Sequence, residues 1–278
     1  MSDFSAEWLA LREPADHAAR SARLARAIAE RSARAGRLRI VDLAAGTGSN
    51  VRYLAPRLGP RQHWRLVDRD AALLRVAARR TPINDVATIA GKQFDLATLD
   101  PPSARKLFEG AALVTASALL DLVSDRFIAV VASSCRSVDA SVLFALTYDG
   151  RIDCSPRDPR DEAIRDLVNR HQRRDKGFGP ALGPAAVEEA VRQFRAAGFD
   201  VDRDRSDWRL TRQDGELQRQ LIEGWAHAAG EMATDRSAEI DAWRSRRLAH
   251  VAAGASSIVV GHEDMAAWPR RMKVVSNP

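Results

Sequence analysis

The chain has 278 residues, 45% of them hydrophobic, enough to bury one elaborated domain or one domain with a small cap. Its net charge of +6 is concentrated in the first 80 residues, where arginine alternates with alanine; this permits nucleic-acid binding, but its plainer reading is a solvated helix face. Two cysteines, Cys135 and Cys154, exclude a disulfide framework, no apolar run approaches the roughly 20 residues of a membrane span, and Met1 to Glu7 lack the basic-then-apolar pattern of a secretion signal, so a cytoplasmic protein is expected.

In chain order, residues 15–35 predict a helix with Leu24, Ala27, Ile28 and Ala35 on one stripe and Gly36 as its stop. A β-branched strand follows at 38–43, then a glycine turn and a helix at 50–58. A buried parallel strand delivers the chain to its carboxyl edge, where glycines let backbone approach a ligand. Gly46 and Gly48 are placed for that, and Asp42 at the strand's end is placed to order the loop and reach the cationic end of a cofactor. A nicotinamide dinucleotide loop would carry a third small residue at position 51; the chain has Val51. A second strand at 63–67 runs into Asp68, and Asp70 predicts an N-cap for a helix at 71–80.

Asp42, Gly46, Gly48 and Asp68, in this strand, loop, helix, strand frame, resemble the class I S-adenosylmethionine-dependent methyltransferases of small-molecule type. The resemblance implies a doubly wound, seven-stranded Rossmann-like α/β sheet with helical lid and cap insertions. It assigns the glycine loop, with Ala44 where the family usually has a glycine, to the methionine part of the cofactor, and Asp68 to the ribose hydroxyls, with Asn50 and Arg69 as neighbouring contacts. It also makes His17 and Arg20, on the helix before the first strand, candidates to approach the methionine carboxylate.

The third strand has two candidate positions, 86–89 and 93–96; Asp95 and Leu96 resemble the family's adenine contacts, with Asp100 as the other acid that could serve. The run Asp100, Pro101, Pro102 is also similar to the motif with which nucleic-acid amino methyltransferases hold a flipped base, although Ser103 replaces the stacking aromatic. A fourth strand at 111–116 leads to Ser117, which the resemblance places against the cofactor. A helix at 125–137 and a fifth strand at 140–147 follow, the strand ending at Tyr148 and Asp149, where acceptor contacts belong.

Residues 151–184 read as a lid with its own helix at 161–173, carrying Asn169, His171, Arg173, Arg174, Asp175 and Lys176. Arginine forks suit carboxylate or phosphate, so Arg174 is a substrate candidate, and His171 a candidate base together with Tyr148. A helix at 185–197, a sixth strand from 199 and a seventh at 257–262 complete the sheet. About forty residues between the last two strands carry stripes through Leu217, Leu221 and Trp225 and through Ile240, Trp243, Leu248 and Val251, predicting two helices that form a cap or dimer surface. Trp208 and Trp225 are candidate walls for an aromatic substrate. No His and Cys stand at metal-ligand spacing.

The expected organisation is a helical cover at 1–37, a cofactor-binding core at 38–150, a lid at 151–184, and the rest of the core at 185–278 with a cap at 213–254. The expected activity is methyl transfer from S-adenosylmethionine, leaving S-adenosylhomocysteine, to an anionic or aromatic small molecule, without a metal and by a monomer or homodimer. The alternatives are a nucleic-acid N-methyltransferase using Asp100 to Pro102 and a cofactor-binding regulatory protein without turnover.

Overall fold

The computed structural model describes residues 4–32, 37–81 and 87–270. Strand β1 (Leu38–Leu43) lies between β2 (Gln62–Asp68) and β4 (Leu113–Ser117), all parallel, with β3 (Ala87–Gln93) outside β2 and β5 (Ser141–Ser155) outside β4. β1 is buried on both faces apart from Arg39, as parallel strands covered by helices must be. Chain order along the sheet reverses between β1 and β4, and that switch opens a crevice beyond their carboxyl ends. β8 (Ser257–Pro269) pairs antiparallel with β5, and β6 (Phe199–Arg205) pairs antiparallel with β8; the short β7 (Trp208–Leu210) pairs with the early half of β8. The third strand lies between its two candidate positions, overlapping both.

The predicted helix at 15–35 is two helices, α1 (Ala6–Ala19) and α2 (Ala22–Ser32), and Ala35 and Gly36 lie outside the described residues. The break has a tertiary cause. The Ser21 N–H donates to Asp264 Oδ2 at 2.9 Å, its hydroxyl donates to Asp204 at 2.7 Å, and the same oxygen accepts from the Leu24 N–H that starts α2. Ser5 caps α1, accepting from the Trp8 N–H at 3.1 Å.

α3 (Ser49–Leu54) follows the glycine loop, and α4 (Ala71–Arg80) has the predicted bounds and cap, Asp70 accepting from the Ala72 and Leu73 N–H groups. α5 (Pro101–Phe108) and α6 (Asp125–Ser137) pack against each other beside the sheet, α6 again over the predicted residues with Ser124 as its cap. α7 (Asp161–Gln172), α8 (Ala186–Ala196), α9 (Gly215–Met232) and α10 (Ser237–Ala252) complete the helices.

β5 was expected to stop near Thr147. It continues to Ser155 because β8 pairs with it along its length, past bulges at Leu146 (φ 55°) and Gly150 (φ 93°). Its distal part carries Ile152 and Cys154 into a separate core with Ile164 and Leu167 of α7, Trp225 of α9 and Trp243 of α10. The long strand is thus the stalk on which the lid and cap stand. Trp243 donates its indole N–H to Asp161 at 2.9 Å, and the buried Arg247 pairs with the same carboxylate, so α10 is fastened to the first turn of α7.

Candidate active site

At the carboxyl edge, Ala44 (φ 50°), Gly46 (φ 52°) and Gly48 (φ 81°) all adopt left-handed backbone. Ala44 accepts a conformation that its Cβ makes costly. Gly46 lies beneath α1: a Cβ there would come within 3.1 Å of the Leu9 side chain. Gly48 faces away from the crevice, where a Cβ would meet Ala77 and Thr81, each at 3.1 Å. Its role is close packing of the loop on α4 rather than ligand approach.

Asp42 is wholly buried at the end of β1. Its Oδ1 accepts from Asn50 Nδ2 at 2.6 Å, and its Oδ2 is buried with no hydrogen-bond partner. Burial pushes its carboxyl up to about 7, with the nearby Asp68 pushing the same way and the Asn50 hydrogen bond and Arg20 opposing. Asn50 also donates to Thr115 and accepts from Arg20 Nη1 at 2.9 Å. The Arg20 guanidinium lies over the Tyr53 ring and acts on the site through Asn50; His17 Nε2 is 3.1 Å from both the carbonyl and the hydroxyl oxygen of Ser49. Neither lines the crevice, so their expected approach to a ligand is replaced by support of the loop.

Asp68 ends β2 with both oxygens engaged: Oδ2 accepts from the Gly46 N–H at 2.8 Å and Oδ1 from the Asp70 N–H at 2.9 Å. The acid thereby ties the glycine loop to the next strand. Asp95 accepts from the Ala97 N–H at 3.0 Å, shaping a short turn in which Leu96 is buried. Asp42, Ala44, Gly46 and Asn50 on one side, Asp68, Arg69, Asp95 and Leu96 on another, and Ser117 at the end of β4 line a single cavity of about 780 Å³.

The lid forms the opposite wall with His171, Arg174 and Lys176, joined by His227 and Glu231 of α9 and Arg12 of α1. Arg174 Nη1 is 2.6 Å from Glu231, His227 Nε2 is 3.1 Å and His171 Nε2 is 3.3 Å, so three side chains converge on one carboxylate. Burial, then Lys176, lowers the His171 pKa below its ordinary value. Arg12 bonds Asp16 through Nε and Nη2, both at 3.0 Å.

Tyr148, Asp149 and Trp208 lie outside this cavity. Because β5 does not end at Thr147, Tyr148 is carried into the lid core, where its hydroxyl donates to Asn169 at 2.8 Å and burial raises its pKa far above the usual phenol value. Asp149 is held by the Arg151 N–H and guanidinium. Trp208 is buried, donating its indole N–H to Asp16 at 3.1 Å, and Trp225 is likewise packed in the lid core. Asp100 is exposed at the N-terminus of α5, where it accepts from the Ser103 N–H at 2.9 Å; it is a helix cap and not part of the cavity wall.

Arg12, Asp16, His227 and Glu231 were not foreseen as wall residues. His227 and Glu231 do stand four residues apart, one helical turn, and that spacing was the available signal. Among the described residues, no group of three or more His, Cys, Asp or Glu is placed to hold a metal ion, and no helix is long and apolar enough to cross a membrane.

No protein-family model matches the sequence, nor does any curated protein. Among solved structures, the YcgJ protein of Bacillus subtilis superposes with a TM-score of 0.51 at 15% identity, over 89% of this chain and 98% of that one. Lower scores relate it to a phosphoethanolamine N-methyltransferase of Haemonchus contortus solved with phosphomonomethylethanolamine and S-adenosylhomocysteine (17% identity, 89% of this chain, 52% of that one, TM-score 0.44). An S-adenosylmethionine-dependent methyltransferase of Geobacter sulfurreducens solved with S-adenosylhomocysteine gives 13% identity, 91% and 93% coverage, and a TM-score of 0.45. The chain spans about half the length of the Haemonchus enzyme. At these identities the likeness is one of fold: the chain has the doubly wound, Rossmann-like methyltransferase sheet with helical insertions.

Proposed function

We propose that this chain is a class I S-adenosylmethionine-dependent methyltransferase acting on a small molecule that is anionic or aromatic. The observation that carries the reading is Asp42: a carboxylate oxygen buried without a partner, at the carboxyl edge of the sheet and on the wall of the cavity. Such an oxygen is costly unless a donor reaches it, and a cationic amino group is the donor that would also return the acid to its ionised form.

The residues fit that group. Asp42 and the loop from Ala44 to Asn50 would hold its amino-acid end. Asp68 has lone pairs left after accepting two N–H groups, and would receive the ribose hydroxyls, with Arg69 beside it. Asp95 and Leu96 would meet the adenine, and Ser117 the cofactor face turned towards the acceptor. S-adenosylmethionine would supply an already activated methyl group and leave as S-adenosylhomocysteine. The chain's share is then to align the acceptor and exclude water, which α1, the lid and α9 do by roofing the cavity. No metal is needed for this.

The fold supports a division into an N-terminal cover, an α/β core, a lid at 151–184 and a cap at 213–254, in a cytoplasmic monomer or homodimer. Calorimetric titration with S-adenosylhomocysteine and, separately, a nicotinamide dinucleotide tests the proposal. Saturable one-site binding of the first alone is expected, and binding of the second alone, or of neither, would overturn it.

A further inference from the structure

Taking the charged residues of the lid-side wall one at a time leaves a single cation without an anion. Arg12 is neutralised by Asp16, to which it is bonded twice, and is stacked on the Trp208 ring 4.9 Å away. Arg174 is paired with Glu231. Asp175 is spent on the loop, its Oδ1 accepting from the N–H groups of Gly177 at 2.7 Å and Gly179 at 3.0 Å. Lys176 lines the cavity, is part-buried, and forms no ion pair among the described residues. Glu231 and Asp121 attract it only at longer range.

One group does touch the ammonium: Lys176 Nζ lies 3.4 Å from His171 Nδ1. The other ring nitrogen of His171 is 3.3 Å from Glu231. These contacts select one tautomer, with Nε2–H donating to Glu231 and Nδ1 accepting from Lys176. The lowered pKa of His171 agrees with a neutral ring at physiological pH. A carboxylate thus orients an imidazole, the imidazole orients an ammonium, and two N–H groups of that ammonium remain for another acceptor.

We infer that Lys176 is the receptor for a carboxylate or phosphate group on the methyl acceptor, aimed into the cavity by His171 and Glu231. This rests on the methyltransferase reading above and narrows it to anionic acceptors. It also makes His171 a positioning residue: its Nδ1 faces an ammonium and its Nε2 a carboxylate, so neither nitrogen is available to take a proton from a substrate. Glu231 stays ionised for this task, because His171 and Arg174 hold its carboxyl below the usual range against the effect of burial.

The test incubates the full chain with methyl-labelled S-adenosylmethionine and a metabolite extract divided by anion exchange into retained and unretained fractions. Label is expected in a product from the retained fraction, and treating that product with a phosphatase separates phosphate esters from carboxylates. Lys176→Met should raise the apparent KM for that fraction by at least about tenfold, the scale of one charged hydrogen bond, with kcat little changed. Lys176→Arg should recover part of the loss, and Glu231→Gln should raise KM in the same direction. S-adenosylhomocysteine affinity should stay within about twofold in all three, which separates lost acceptor binding from lost folding. Label only in the unretained fraction, label in neither, or an unchanged KM in Lys176→Met overturns the inference while the methyltransferase reading stands, provided S-adenosylhomocysteine still binds. Failure of the wild-type chain to bind S-adenosylhomocysteine overturns both.

Discussion

Asn50 Nδ2 lies 2.6 Å from Asp42 Oδ1, and this one hydrogen bond leaves the other oxygen of a fully buried carboxylate without a partner. In the free protein the carboxyl is raised to about 7, chiefly by burial, with Asp68 adding to it and Asn50 and Arg20 opposing. A cationic ligand binds the ionised form. Below about 7 the acid must lose a proton before it can pair, so S-adenosylhomocysteine affinity should rise by up to about tenfold per pH unit there and level off above. Asp42→Asn should bind weakly with a flat profile. Titrations between pH 5.5 and 8.5, roughly spanning that value, check this; equal slopes in both proteins would remove Asp42 from the ligand's amino end.

The same raised pKa has a sign for stability. An acid that holds its proton more tightly when folded favours the folded state at low pH, and that contribution is lost as pH rises from the ordinary 3.8 towards about 7. Asp42→Asn should therefore gain in melting temperature relative to wild type as pH goes from about 4 to 7. Thermal melts across that window measure the difference, and a constant offset would contradict the burial argument.

Asp68→Ala removes two internal acceptors and the proposed ribose contact together. Affinity for S-adenosylhomocysteine should fall roughly ten- to a hundredfold, as expected for loss of charge-assisted hydrogen bonds. Asp68→Asn keeps one acceptor oxygen and should lie between. Calorimetry giving wild-type affinity for Asp68→Ala would take the residue out of the site.

Asp161→Ala should loosen the joint between lid and cap. It strands the guanidinium of Arg247, whose side chain is 1% exposed, and the Trp243 indole N–H. Removing one partner of a buried pair costs about 3–5 kcal/mol. Urea unfolding reads this directly, and a loss below about 1 kcal/mol would show that the joint is no stronger than a surface ion pair.

Asp100→Ala should cost stability and spare chemistry. Loss of an N-cap is worth about 1 kcal/mol. Methyl transfer per folded molecule should be unchanged, since Asp100 is outside the cavity wall. A selective collapse of turnover would revive the reading of Asp100, Pro101 and Pro102 as an amine-holding motif.

What the residues alone determined was the part built from neighbours in sequence. β1, α4 and α6 have the predicted bounds because a β-branched run, an aspartate cap and a serine cap act within one turn of where they stand. Asp42, Gly46, Asn50 and Asp68 fall together in the cavity because strand, glycine turn and strand end bring them there with little help from the rest of the chain. Tertiary structure decided the other wall. Asp264, 243 residues from Ser21, cuts the first helix in two, and pairing with β8 extends β5 beyond Thr147, lifting Tyr148 and Asp149 out of the crevice. Arg12, Lys176 and Glu231 meet across α1, the lid and α9, segments whose local patterns say only that each forms a helix or loop. Which of their polar faces turn inward depends on packing between distant elements, and no local periodicity encodes that.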